Sequence, residues 1–271
     1  MSVGLSTYAF FWRMSARAPR PLSLEAVVEQ TAAAGAQVLQ ICDHPGLAAM
    51  SAAELAELRA LGDGLGVAFE VGFRGVRAAQ LLRFLEVARA LGAGVVRTML
   101  SAGDDRPALS EAVAELRAAV PRFDDAGVRL GLETYEVFST AELVRVIEEV
   151  GESALGVCLD PANTVARLEH PKETIDQVTD YVVNLHVKDF AFQRASGLVG
   201  FTLSGCELGT GLLDVEYLYA RVRPEARGIS QIVEHWLPWQ GSAAATIEAE
   251  ERWTERSLAV MASLGGVGRG R

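Results

Sequence analysis

The chain has 271 residues, 50% of them hydrophobic, with 25 Lys and Arg against 35 Asp and Glu for a formal charge of −10. That length suits one large α/β domain or two small ones, and the acidic balance argues against nucleic acid or anionic membrane surfaces as partners. Charged residues interrupt every apolar run before the ~18 residues that a membrane span needs.

Taken from the N-terminus, Met1–Ser6 lacks the basic start and apolar core of a secretion signal, and the first strand is predicted from residue 3. Further short β-branched or aliphatic runs begin near residues 38, 67, 95, 129, 155, 182 and 230. Helical patterns fill the intervals. Two of them open with a capping box, at Ser51–Glu54 and Ser139–Glu142, and Gly35, Gly92, Gly127 and Gly151 mark helix ends. Strand starts recur every ~26 to 35 residues until a longer last interval, which predicts an α/β fold of the (β/α)8 TIM-barrel kind in a single domain. The extra segment from Phe190 to Leu213 follows the seventh strand, on the rim where such barrels carry their sites. The barrel is expected over residues 1–264, and the Gly-rich stretch 265–271 as a disordered tail. The alternative is an open doubly wound sheet. Such sheets usually carry a Gly-rich phosphate turn after the first strand, whereas Ser6–Trp12 contains no glycine.

Cys42, Cys158 and Cys206 form neither a disulfide framework nor a CxxC metal site, so a cytoplasmic protein with reduced thiols is expected. The chemistry lies at the ends of the last four strands, Arg129-Leu-Gly-Leu-Glu133, Gly156-Val-Cys-Leu-Asp160, Val182-Val-Asn-Leu-His186 and Gln231-Ile-Val-Glu234. Alternation puts Glu133, Asp160, His186 and Glu234 on one face, above Gly131, Cys158, Asn184 and Ile232. Any one of them alone reads as a helix cap or a solvated charge. Together, on consecutive strands, they read as a metal site. A flat sheet would hold the outer two ~14 Å apart, whereas a closed barrel turns all four inward. Three clustered carboxylates need protons or a cation. Three oxygen donors and one imidazole suit one divalent ion, Mn²⁺ or Mg²⁺ first, with Co²⁺ or Zn²⁺ as further options.

These strand ends, with His186-Val-Lys188-Asp189 and Gly209-Thr-Gly211-Leu-Leu-Asp214, resemble the xylose isomerase-like TIM barrels, the sugar phosphate isomerase/epimerase family, over nearly the whole chain. The resemblance implies that Glu133, Asp160, His186 and Glu234 hold one divalent cation. It also implies an enzyme acting on a keto-sugar or oxo-sugar through a metal-stabilised enediolate, as isomerase or epimerase. One position departs from the pattern: ketose 3-epimerases of the family carry His three residues past the metal-binding Asp, where this chain has Asn163. The stretches Val183–Phe190, Glu70–Gly75 and Cys158–Asn163 are similar to a branch that includes decarboxylases of 3-oxo sugar acids of the 3-oxo-isoapionate type. Related members eliminate from 3-keto glycosides, so decarboxylase and lyase are the alternatives. An AP-endonuclease-like phosphodiesterase would need several zinc ions and many His ligands, and this chain has 4 His. A non-catalytic sugar-binding or partner subunit would have to retain costly buried carboxylates without using them.

Around this set, Glu133 and Glu234 are candidates for general base and acid. Lys188, on the same inward face, either binds a substrate carboxylate or phosphate or pairs with a metal-site carboxylate. Arg97 is expected to pair with Glu70, and otherwise to help bind an anionic substrate. His44 reads as a proton shuttle or as an ordinary loop histidine, and Asn163 as a substrate contact. Trp12, with Tyr8, Phe11, Trp236 and Trp239, reads as a wall for a sugar ring, a subunit contact or plain rim packing. Glu207 is placed in a lid over the site, and His235 points away by parity. The expected partner is a small carbohydrate, with a homo-oligomer possible.

Overall fold

The computed structural model describes residues 2–195, 197 and 199–266. Seven strands, β1 (Val3–Ser6), β2 (Val38–Cys42), β3 (Ala68–Gly72), β4 (Val95–Thr98), β5 (Arg129–Glu133), β6 (Leu155–Leu159) and β7 (Val182–Val187), run parallel in chain order. After an antiparallel hairpin, β8 (Asp189–Arg194) and β9 (Phe201–Cys206), strand β10 (Gln231–Val233) closes the barrel between β7 and β1. Closure removes the open-sheet alternative. Each strand starts within a residue or so of its predicted place.

The outer layer is α1 (Leu24–Ala33), α2 (Ala52–Leu65), α3 (Ala78–Leu91), α4 (Leu109–Asp125), α5 (Thr140–Val150), α6 (Pro171–Val178), α7 (Val215–Val222) and α8 (Ala243–Gly266). Both capping boxes form: Ser51 and Ser139 accept from the amides of Glu54 and Glu142, whose side chains return the bond. Gly92 and Gly151 close α3 and α5 with φ of 72° and 73°, a conformation that costs other residues strain. Helix α8 runs through residues 265 and 266, where the tail was expected to start, and residues 267–271 lie outside the described part. Among the described residues no helix is long and apolar enough to cross a membrane.

The faces sort as the alternation demands. Leu130, Leu132, Val157, Leu159, Leu185 and Val233 are fully buried between strands and helices, each worth ~1.5–3 kcal/mol relative to exposure. The inward face holds a narrow interior: a Cβ on Gly4 would sit 2.7 Å from atoms of both Val38 and Ile232. Higher up, that interior turns polar.

Candidate metal centre and active site

Glu133 ends β5, Asp160 follows β6, His186 lies in β7 and Glu234 follows β10, and their donor atoms all fall within 4.8 Å of one another. All four side chains are buried. His186 Nδ1 is 3.5 Å from Glu133 Oε1, 3.7 Å from Asp160 Oδ2 and 3.5 Å from Glu234 Oε2. Its other nitrogen, Nε2, is 2.7 Å from Gln40 Oε1. Gln40 is oriented independently, because its amide nitrogen donates to Glu70 Oε2 at 3.0 Å and Asn184 Oδ1 at 2.9 Å. Gln40 therefore presents an acceptor to His186, Nε2 carries the hydrogen, and the Nδ1 lone pair faces three carboxylates. Among the described residues neither Nδ1 nor Glu234 Oε1 has a hydrogen-bond partner, although both are buried. A lone pair aimed at three anions is stable only with positive charge between them. The donor set thus fits one divalent cation. Burial by itself would lower the His186 pKa, but Cys158, Glu234 and Asp160 hold it well above the ordinary value, the same demand for positive charge. Burial would likewise raise Asp160, yet Lys188 and His186 bring it down to about 2.

One layer below, Glu70 accepts from Gln40, from Asn184 Nδ2 at 2.9 Å and from Ser230 Oγ. Burial raises its pKa against those three donors. The expected Arg97–Glu70 pair does not form. In register Arg97 lies opposite Gly72, and Glu70 lies opposite Gln40, so the two side chains occupy different layers. Arg97 instead forms an ion pair with Glu133 Oε2, donates to Phe73 O at 3.1 Å and lies 3.5 Å from Asp43 Oδ1. Gly72 makes the room, since a Cβ there would stand 3.3 Å from Arg97 Cδ.

Lys188 joins the cluster as an ion-pair partner. Its Nζ is 2.7 Å from Asp160 Oδ2, 3.3 Å from Glu234 Oε2 and 4.3 Å from the centre of the Trp236 ring. It also donates to Asn163 Oδ1 at 3.2 Å, while Asn163 Nδ2 donates to Glu133 Oε1 at 2.7 Å and to Thr134 O at 3.1 Å. Thr134 in turn fixes Asp160, giving its hydroxyl to the Asp160 carbonyl and taking the Asp160 amide, both at 2.8 Å.

Other predicted residues are placed elsewhere. His44 lines a cavity of about 380 Å³ with Tyr8, Phe11 and Asp43; half-burial lowers its pKa, and no described contact links it to the ligand set. Trp12 is rim packing: its amide donates to Glu250 of α8, its indole to Leu237 O at 2.7 Å, and its ring meets Trp239. Trp236 is the aromatic that reaches the site. Glu207 is held by Arg252 at 2.9 Å and Arg256 at 3.7 Å, which ties the loop after the hairpin to α8 instead of setting a lid. His235 does point away, to Thr254 Oγ1 at 3.1 Å. Asp189 and the glycine motif prove structural: the Asp189 carboxylate accepts from the amides of Phe190, Gly209, Gly211 and Leu213, and Asp214 caps α7. Gln40 and Thr134 are functional neighbours that the sequence reading missed. A polar Gln in the middle of a buried strand was the available signal for the first.

Fold and site together define a TIM-barrel enzyme with a four-ligand cluster, suited to a metal ion, at its C-terminal mouth. The chain belongs to the xylose isomerase-like TIM barrel family, whose profile matches residues 28–264. It is 52% identical over 258 residues, 95% of its own length and 94% of the other's, to 3-oxo-isoapionate decarboxylase of Pectobacterium atrosepticum. D-psicose 3-epimerase from Clostridium cellulolyticum H10, solved with D-tagatose, superposes with a TM-score of 0.75 at 15% identity, covering 97% of this chain and 99% of that one. A xylose isomerase-like TIM barrel protein from Mycobacterium smegmatis, in complex with magnesium, gives 0.70 at 18% identity over 94% and 95%. The two solved structures speak to fold alone.

Proposed function

We propose that the chain is a divalent-metal-dependent decarboxylase of a 3-oxo sugar acid. The observation that carries this is the state of Glu133, which an isomerase or epimerase of this geometry would use as a base. Here Arg97 and the Asn163 amide occupy both of its oxygens, which turns them toward the protein's own donors instead of a substrate C–H. Decarboxylation needs no such base. The bond between the carboxyl carbon and its neighbour breaks, its electron pair moves toward the ketone oxygen, CO₂ departs and one proton is delivered to the vacated carbon.

Magnesium or manganese held by Glu133, Asp160, His186 and Glu234 supplies Lewis-acid stabilisation for the oxygen that gains charge. Lys188 supplies the proton. Burial opposes its charge, but Asp160, Glu234 and Glu133 raise its pKa, so it stays protonated at neutral pH beside the ligand cluster. Trp236 covers Lys188 and limits the access of water. Three carboxylates set against Lys188, Arg97 and a divalent cation leave one net positive charge, which favours an anionic carbohydrate over a neutral one. The 52% identity to a 3-oxo-isoapionate decarboxylase supports the same reading. The three free thiols support a cytoplasmic setting.

The test is incubation of manganese-loaded protein in D₂O with 3-oxo sugar acids and, separately, with ketoses. Release of CO₂ with one deuterium on the vacated carbon is expected. Deuterated epimers of full carbon count, without CO₂, would sink the proposal.

A further inference from the structure

Asp43 joins two arginines at the barrel mouth. Its Oδ1 lies 3.5 Å from Arg97 Nη1, and its Oδ2 accepts from Arg74 Nε at 3.0 Å. Tyr8 completes the arrangement, giving its hydroxyl hydrogen to Asp43 Oδ2 at 2.8 Å and accepting from Arg74 Nη2 at 3.0 Å. Asp43 is held with φ of 50°, in the left-handed region, and its amide donates to Gly72 O at 2.9 Å. Backbone in that region persists where its surroundings hold it, and such positions cluster at functional sites.

A guanidinium offers five N–H groups. Asp43 and Tyr8 take those along one edge of Arg74. The outer fork, Nη1 with the second Nη2 hydrogen, has no partner among the described residues, and the side chain is 41% exposed. The other two cations are already engaged: Arg97 is buried against Glu133, and Lys188 against Asp160 and Glu234. Arg74 lies two residues past the end of β3, and its contacts with Asp43 and Tyr8, which follow the ends of β2 and β1, hold it at the barrel mouth.

We infer that Arg74, oriented by Asp43 and Tyr8, is the carboxylate-recognition residue of this site and selects sugar acids over neutral sugars. The inference rests on the sugar-acid reading above. A planar fork with one edge fixed is preorganised for two parallel bonds to a carboxylate. Sharing its charge with Asp43 also keeps the grip moderate, which suits a carboxylate that must leave as neutral CO₂. A tighter pair would stabilise the ground state more than the transition state. The contribution therefore falls on binding, and on KM before kcat.

The test compares calorimetric binding of a five-carbon aldonate and the matching alditol to manganese-loaded wild type, Arg74→Met and Arg74→Lys, with melting curves to confirm folding. Wild type is expected to prefer the aldonate by about tenfold or more, Arg74→Met to bring that ratio near one, and Arg74→Lys to keep part of it. An unchanged ratio in Arg74→Met, or no preference in wild type, overturns the inference. CO₂ release by wild type judges the decarboxylase reading separately: aldonate preference without CO₂ release sinks that reading and leaves the subsite standing.

Discussion

Asn163 links Glu133 to Lys188, donating to Glu133 Oε1 at 2.7 Å while accepting from Lys188 Nζ at 3.2 Å. One amide thus holds a carboxylate of the proposed metal site and the proposed proton donor in fixed relation. Asn163→Leu is predicted to cut kcat by about 10²-fold, the usual consequence of loosening a reacting group by an ångström or so. Stability should fall by only about 1–3 kcal/mol for the lost buried hydrogen bonds. Single-turnover rates beside denaturant melts separate the two effects. An unaltered kcat would remove Asn163 from the catalytic arrangement.

Gln40 connects the imidazole to the buried polar layer. Gln40→Leu deprives His186 Nε2 of its acceptor and Glu70 of one donor. Metal affinity is predicted to fall about 10–100-fold, the range typical for partners that orient a ligand histidine. Manganese titration of metal-free protein by calorimetry measures it.

Removal of metal should be felt by the fold. Three carboxylates packed within 4.8 Å of His186 gain from a cation that the unfolded chain does not bind. A metal concentration 100-fold above its Kd should stabilise by about 2.7 kcal/mol and raise Tm by roughly 5 °C over the chelated protein. Glu234→Gln should shrink that rise. Scanning calorimetry with and without chelator provides the comparison.

His235 gives the pH prediction. Burial lowers its pKa from 6.5 to about 4, so the folded chain keeps it neutral where the unfolded chain protonates it. Its stability contribution is complete above pH 6.5 and is lost as pH falls from there through about 4. The slope approaches about 1.4 kcal/mol per pH unit inside that window. His235→Asn should flatten the profile between pH 6.5 and 4 in urea melts; an equal slope in the variant would place the effect on other groups.

Much of the four-residue cluster was legible in the strand ends themselves. Period-two alternation assigns Glu133, Asp160, His186 and Glu234 to one face with no knowledge of neighbours, and strand spacing of a βα unit predicts the closed barrel that brings them together. The same logic failed for Arg97 and Glu70. Both point inward, but whether they meet depends on the stagger between β3 and β4, and Arg97 is set against Gly72. Glu207 was misjudged for a related reason. Its partners Arg252 and Arg256 lie on the last helix, and nothing in the loop's own residues announces them. Trp12 depends likewise on Glu250, 238 residues away.

The amino-acid order by itself determined which side chains face the barrel axis and at what height each strand ends, because those follow from local backbone geometry. Only the tertiary structure decided which charges neutralise one another: that Lys188 rests on Asp160, that Arg97 occupies Glu133, and that Arg74 keeps an open fork. Such pairings are fixed by strand register and barrel closure, which sum contributions from the whole chain.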